Sequence, residues 1–285
     1  MTPTLHIATV GDDAFVPAPV CDTAPTVREQ LHRLAPARLR EIDAQMTSAP
    51  HTLPAPVVGR GIDLTLLDRL TQDLTLDGLP AVIRRSSRAR QLGYLGGRLC
   101  AETALLDLAD RCEVLTAAMT AAMNAAIPIG DGGAPQWPEG VIGSIAHTRD
   151  GAWAAVAPGA ACARLGIDSE VIVDEAGCRD IVAVCCTPRE RRRWFELADP
   201  LRATLLFSAK ESVYKAIHPQ VKRFVDFDEV EMVGIEDLAG TLCLHFRATP
   251  EGPLAGRIPA LQVHARVVGE RVHTAIADLQ DRGTT

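Results

Sequence analysis

The chain has 285 residues, of which 47% are hydrophobic and 23% charged, and it carries a formal net charge of −7. That length suits two domains or two halves of one, and the composition suits a soluble globular protein with a substantial core. The acidic balance excludes a broad basic surface, and with it non-specific nucleic-acid binding. No apolar stretch is long enough to span a bilayer, so no membrane partner is expected.

The opening "MTPTLHIATVGDDAF" shows no basic segment followed by an apolar run. No secretory signal is expected, and a cytoplasmic location is. The eight cysteines form no CxxC pair, and no histidine is spaced to complete a zinc site. They read as small buried apolar residues. Residues 1–80 carry little pattern: "TVREQLHRLAPARLREIDAQM" is helical but interrupted at Pro36, and the prolines of "TSAPHTLPAPVVGRG" make that stretch a loop. A clearer helix follows in "RQLGYLGGRLCAETALLDLADR", where Leu92, Leu95, Leu99 and Leu106 share one side. Arg90 and Arg98 lie off that stripe, within about 80° of each other. Gly93, Gly96 and Gly97 each weaken the helix by roughly 1 kcal/mol relative to Ala. They imply close approach of a neighbouring element or of a ligand.

"GVIGSIAHTRDGAWAAVAP" reads as two strands about a turn at Asp150–Gly151, and "ARLGIDSEVIV" as a third strand. In "CTPRERRRWFELAD", Thr187 suits an N-cap, Pro188 the first helical position and Glu190 a capping box. The helix containing "LLFSAKESVYKAI" is expected to stop at Pro219. The C-terminal "LCLHFRA" and "ALQVHARVVGERVHTAIADL" alternate and turn at Gly269, as hairpin strands do. Helices mixed with hairpins predict an α+β fold.

Two motifs carry chemistry. On its helix, Glu211 is one turn before Lys215 on the same face, opposite Ala209, Val213, Ala216 and Ile217. This pattern fits an ordinary solvated face with an ion pair, a capping box from Ser208 to Glu211, or a face that holds a ligand. In "GIDSE", Asp168 and Glu170 point to the same face of a strand otherwise rich in Ile and Val. Paired carboxylates there raise a proton affinity or call for a cation. A hard divalent cation with oxygen ligands, completed by a third carboxylate such as Glu211, resolves the conflict. An edge strand with wet acids is the alternative.

"GIDSE", followed about forty residues on by "FSAKESVYKA", resembles the paired signature of the 4′-phosphopantetheinyl transferases. "RQLGYLGGR", "PIGDGGAPQWPEGVIGSIAHT" and "DGAWAAVA" extend the resemblance upstream, in order, from about residue 84 to about residue 230. They point to the subgroup similar to the enterobactin-synthetase transferase, which serves siderophore, nonribosomal-peptide and polyketide assembly. The resemblance implies two similar α+β halves related by a pseudo-twofold, here residues 1–158 and 159–285, with coenzyme A between them. It implies transfer of the phosphopantetheine arm of coenzyme A to a serine of an acidic, helical apo carrier protein by a monomeric enzyme, releasing adenosine 3′,5′-bisphosphate.

By the same resemblance, Asp168, Glu170 and Glu211 ligate Mg²⁺, or Mn²⁺ in its place. Glu211 and Lys215 serve catalysis. Arg90, Arg98, His147, Lys210 and Lys215 contact the coenzyme. Guanidinium and ammonium groups match its phosphates. The sequence departs from the family pattern at Gly93, often acidic there; at Ala146, often a hydroxyl; at Thr148, often Cys; and in "GDGGAP", which lacks a basic residue. "RERRR", Arg189 to Arg193, is a candidate patch for the carrier or a plain exposed helix face. Two rival readings are a metal-dependent hydrolase of coenzyme-like phosphoanhydrides and a non-catalytic coenzyme-binding module.

Overall fold

The computed structural model describes residues 25–111 and 126–280. The N-terminal part opens with two short helices, α1 (Val27–Leu34) and α2 (Pro36–Ala44). A capping box between Thr26 and Glu29 starts α1. Strands β1 (Thr47–Ser48) and β2 (Val58–Asp63) follow, then α3 (Leu64–Thr71), whose first amides bond to the Asp63 side chain. The segment around residue 58, which its prolines mark as loop, is therefore partly a strand. After the single-turn α4 (Ala81–Arg84) comes the long helix α5 (Arg88–Arg111), then β3 (Val141–His147) and β4 (Gly151–Pro158). These strands form an antiparallel sheet in the order β1-β2-β4-β3.

The second part runs β5 (Cys162–Val171), α6 (Glu175–Cys185), α7 (Pro188–Trp194), α8 (Pro200–Val221) and β6 (Val230–Asp237). Strands β7 (Leu242–Ala248), β8 (Leu261–Val268) and β9 (Arg271–Leu279) complete a five-stranded antiparallel sheet ordered β5-β9-β8-β7-β6. The mixture of helices and antiparallel sheets is an α+β architecture. The capping box from Thr187 to Glu190 is present at the start of α7. Helix α8 starts under an Asp199 cap and runs through Pro219 to Val221, ending at Lys222 in the left-handed region. Pro219 lies in the last turn, where a lost amide bond and one crowded carbonyl are tolerated.

Each sheet carries one long helix. Helix α5 lies on β2 and β4, and α8 lies on β5 and β9. A Cβ on Gly96 would stand 3.1 Å from the Ala152 Cβ, and one on Gly97 2.7 Å from Ile145, so the α5 glycines serve packing against the sheet. Gly166 has the same role in the other half. A side chain there would collide with the Ser212 carbonyl on α8. A seam of small residues, including Ala146, Ala155, Ala157 and Ala275, lets the two sheets meet. The Ile167 amide donates to Ser144 Oγ at 3.0 Å across this seam, and Arg271 pairs with Asp150. All six described cysteines are free and buried; Cys21 and Cys112 lie outside the described residues.

Candidate active site

The site forms where α5 and α8 face each other beside the seam. A cavity of about 580 Å³ opens there, and Arg90, Tyr94, His147, Lys215 and His218 line it. One wall is the segment from Ile129 to Pro135, which folds back on itself. Gly130 N–H donates to Ala134 at 2.7 Å, and Gly132 and Gly133 take positive φ. Space is open around both, so it is the left-handed backbone of the return, not crowding, that favours glycine there.

At the end of β3, the His147 ring lies over Gly93 of α5. A Cβ on Gly93 would stand 3.1–3.2 Å from three ring atoms. An acidic residue at position 93 would push the ring away, so the sequence departure there has a packing reason. Desolvation by the surrounding walls, then Lys215 and Arg90, hold the His147 pKa down to about 4. Ala146 is buried in the seam, and Thr148 closes the following turn by donating to Asp150 at 2.8 Å.

Behind the cavity stand the carboxylates. Asp168 on β5 is only 5% exposed, although β5 is the outer strand of its sheet. This is not a wet edge. Lys215 Nζ donates to Asp168 Oδ1 at 2.7 Å and to the Ile167 carbonyl at 3.1 Å, while Ser208 Oγ donates to Asp168 Oδ2 at 2.8 Å. Ser208 sits in the middle of α8, so the Ser208–Glu211 capping box does not form. Burial, then Asp168 and Glu211, push Glu170 up to about 8; burial, then Asp168, push Glu211 up to about 7. Burial opposes the Lys215 ammonium, but Asp168, Glu211 and Glu170 outweigh it and raise its pKa.

Asp168 raises the proton affinity of Glu170 and Glu211, and the three carboxylates and the Ser208 hydroxyl offer oxygen donors only. That chemistry fits a hard divalent cation. Among the described residues, no three His, Cys, Asp or Glu side chains are gathered closely enough to hold a metal ion. Lys215 spans both regions: it lines the cavity and touches Asp168.

Two expected coenzyme contacts are bonded to groups of the protein itself. Lys210 is 1% exposed, and its ammonium donates to the carbonyls of Cys185 and Phe227 and to Glu190 Oε2, at 2.7–2.8 Å. All three donors are used in the core, away from the cavity lining. Helix α8 turns it about 100° from Glu211, toward the core. Arg98 reaches the cavity but donates Nε to the Ile127 carbonyl at 2.8 Å, and it is 6% exposed.

The sequence reading misses a polar cluster behind Asp168. His51 Nε2 lies 3.0 Å from the Asp168 carbonyl and 3.1 Å from Ser169 Oγ, which lies 2.9 Å from His273 Nδ1. Burial first holds His51 down to about 3 and His273 to about 4, so both rings are neutral. One available signal is Ser208 and Ser212, spaced one turn apart on a helix with a large apolar face, since buried hydroxyls at that spacing need polar partners. Both bond to Thr274. His51 itself lies in a proline-rich segment with no periodicity to place it.

Residues 80–157 match the family model described as the 4′-phosphopantetheinyl transferase N-terminal domain, and residues 164–273 match that of the 4′-phosphopantetheinyl transferase superfamily. The chain is 38% identical over 159 residues to 4′-phosphopantetheinyl transferase Svp of Streptomyces mobaraensis, covering 53% of this chain and 62% of that protein. It is 34% identical over 160 residues to 4′-phosphopantetheinyl transferase Npt of Nocardia iowensis, covering 55% and 65%. It is also 34% identical over 142 residues to enterobactin synthase component D of Salmonella typhi, covering 49% and 53%. The matches thus span between about half and two thirds of the length of these curated relatives. With both halves matched in order and the two signature motifs meeting at Lys215 and Asp168, the chain belongs to the 4′-phosphopantetheinyl transferase superfamily.

Proposed function

We propose that this chain transfers the 4′-phosphopantetheine arm of coenzyme A to a serine of an apo carrier protein. The observation that carries this reading is Lys215, which joins a cavity with cationic walls to a buried carboxylate cluster. In that cavity Arg90 faces the coenzyme's 3′-phosphate, and Lys215 and the neutral His147 face the pyrophosphate. The carrier serine oxygen attacks the phosphorus that bears the pantetheine arm. The bond from that phosphorus to the bridging oxygen breaks, and adenosine 3′,5′-bisphosphate leaves with the electron pair. Glu211, one turn before Lys215, accepts the serine proton. Asp168, Glu170 and Glu211 would hold Mg²⁺, or Mn²⁺, which supplies charge neutralisation at the pyrophosphate when bound.

The substrate carrier is an acidic, helical domain of a siderophore, nonribosomal-peptide or polyketide pathway, and the enzyme works as a cytoplasmic monomer. The arginines of α7 contribute less to carrier binding than their number suggests. Arg191 donates to the carbonyls of Ala183 and Cys186, and Arg189 leans toward Glu231. Arg192 and Arg193 remain exposed.

Incubating the full chain with coenzyme A, Mg²⁺ and several apo carriers, and weighing the carriers by mass spectrometry, tests the reading. The expected result is a mass gain of one phosphopantetheine on at least one carrier. Cleavage of coenzyme A without a carrier would instead establish the hydrolase, and binding without either reaction would establish the binding module.

A further inference from the structure

Asp168 is approached from both sides of the seam. In front, within the second part, Lys215 and Ser208 bond its carboxylate. Behind it, His51 of the N-terminal part reaches across. Its Nε2 lies 3.0 Å from the Asp168 carbonyl and 3.1 Å from Ser169 Oγ. A carbonyl only accepts, and burial keeps the ring neutral, so the one ring proton sits on Nε2 and points at Asp168. Ser169 Oγ lies in turn 2.9 Å from His273 Nδ1 on β9.

His51 lies between β1 and β2, in no helix or strand of its own. Other rings hold it instead. Trp153 and His273 stand edge-on to it, with ring centres 6.3 and 5.2 Å away, and they meet each other in the same way at 5.1 Å. The residue is buried. The rest of the seam brings the two parts together without meeting Asp168. Its apolar packing is non-directional, Ser144 takes the Ile167 amide, and Arg271 pairs with Asp150. Among the described residues, His51 is the side chain of the N-terminal part that bonds residue 168 itself.

We infer that His51 is a positioning residue: it fixes β5 at Asp168 against the N-terminal part, and so sets where Asp168 and its partner Lys215 stand relative to His147. The inference rests on the reading of Asp168 and Lys215 as members of the reaction centre. The cavity takes His147 from the N-terminal part and Lys215 from the second part. A slip between the parts therefore moves its walls against each other, and reacting groups tolerate a displacement of only about 0.5 Å. A hydrogen bond to one carbonyl is directional, and it resists such a slip more sharply than packing among alanines does.

The experiment compares H51L, H51N, H51Q and H273F in the full chain. Single-turnover transfer from coenzyme A to an apo carrier is measured per folded molecule with Mg²⁺ present. Hydrogen exchange at the Ile167 amide, whose partner Ser144 lies across the seam, is measured without metal or ligand. Gln carries its amide nitrogen as many bonds from the backbone as His carries Nε2, and Asn carries it one bond fewer. H51L and H51N are expected to lower transfer by ~10–100-fold, the scale for losing a partner that orients a ligating residue. They should also speed Ile167 exchange by ~5-fold or more, the scale of one net hydrogen bond. H51Q should recover most of both losses. H273F keeps a ring in the stack and leaves the bond from His51 to Asp168, so it should lower stability and leave transfer nearly unchanged. Equal transfer by H51N and H51Q, a loss in H273F as large as in H51L, or Ile167 exchange unchanged in both H51L and H51N overturns the inference. Should H51L not fold, the pair H51N and H51Q decides. If the unmodified chain modifies no carrier, the functional reading fails, and Ile167 exchange still decides whether His51 holds the strand.

Discussion

Replacing Lys210 separates a core role from a coenzyme role. Its ammonium donates to the Cys185 and Phe227 carbonyls and to Glu190 Oε2, and the side chains of Lys210 and Glu190 are 0% and 1% exposed. Glu190 also accepts the amides of Thr187 and Met232, both at 2.7 Å. The pair therefore joins the end of α6, the start of α7, α8 and β6. Changing Lys210 to Met keeps most of the volume but strands a buried carboxylate and two carbonyls. Breaking one side of a buried ion pair costs about 3–5 kcal/mol. The remaining amide bonds to Glu190 place the expected loss toward the lower end, ~3 kcal/mol. Urea unfolding at neutral pH measures it. Coenzyme affinity of the folded fraction, titrated without denaturant, should stay within twofold of the unmodified chain. A stability loss under about 1 kcal/mol together with a large loss of coenzyme affinity would refute the reasoning and return Lys210 to the coenzyme site.

Three further outcomes are expected. Glu211→Gln should retain coenzyme binding through Arg90 and Lys215 while single-turnover transfer falls by ~10²-fold or more, the usual scale for a lost base; near-normal transfer would remove Glu211 from the chemistry. Excess chelator should abolish transfer, and Asp168→Ala should abolish both transfer and Mn²⁺ binding followed by spin resonance; full turnover in chelator contradicts the carboxylate assignment. Glu102, which accepts the Val27 and Arg28 amides at 2.8 and 2.9 Å, is pushed up to about 7, chiefly by burial. Because its folded pKa lies above the ordinary 4.5, the native state holds the extra proton between those values. Its contribution is therefore most favourable below pH 4.5 and is lost as pH rises through 7. Over that window Glu102→Gln should gain ~3 kcal/mol relative to the unmodified chain; a pH-independent difference would show that Glu102 does not titrate there.

What the sequence by itself determines is local. The two-residue spacing of Asp168 and Glu170 places them on one face of β5, and the four-residue spacing of Glu211 and Lys215 places them on one face of α8, whatever the rest of the chain does. Thr187, Pro188 and Glu190 start α7 for equally local reasons. The stretch Val58–Asp63, with two glycines and an arginine among six residues, has no alternation to announce a strand; pairing with β4 on one side and β1 on the other makes it one.

Helix α8 is buried on several sides, by β5, β9 and α6, so its composition names no single inner face. Only the packing turns Lys210 toward Glu190 and Glu211 toward Asp168. The two arginines of α5 are likewise alike as sequence, and the position of Ile127 separates them. Spacing along one element sets which side chains share a direction. What lies in that direction is supplied by residues remote in the chain, and it decides whether a charge is a fastening or a contact for a ligand.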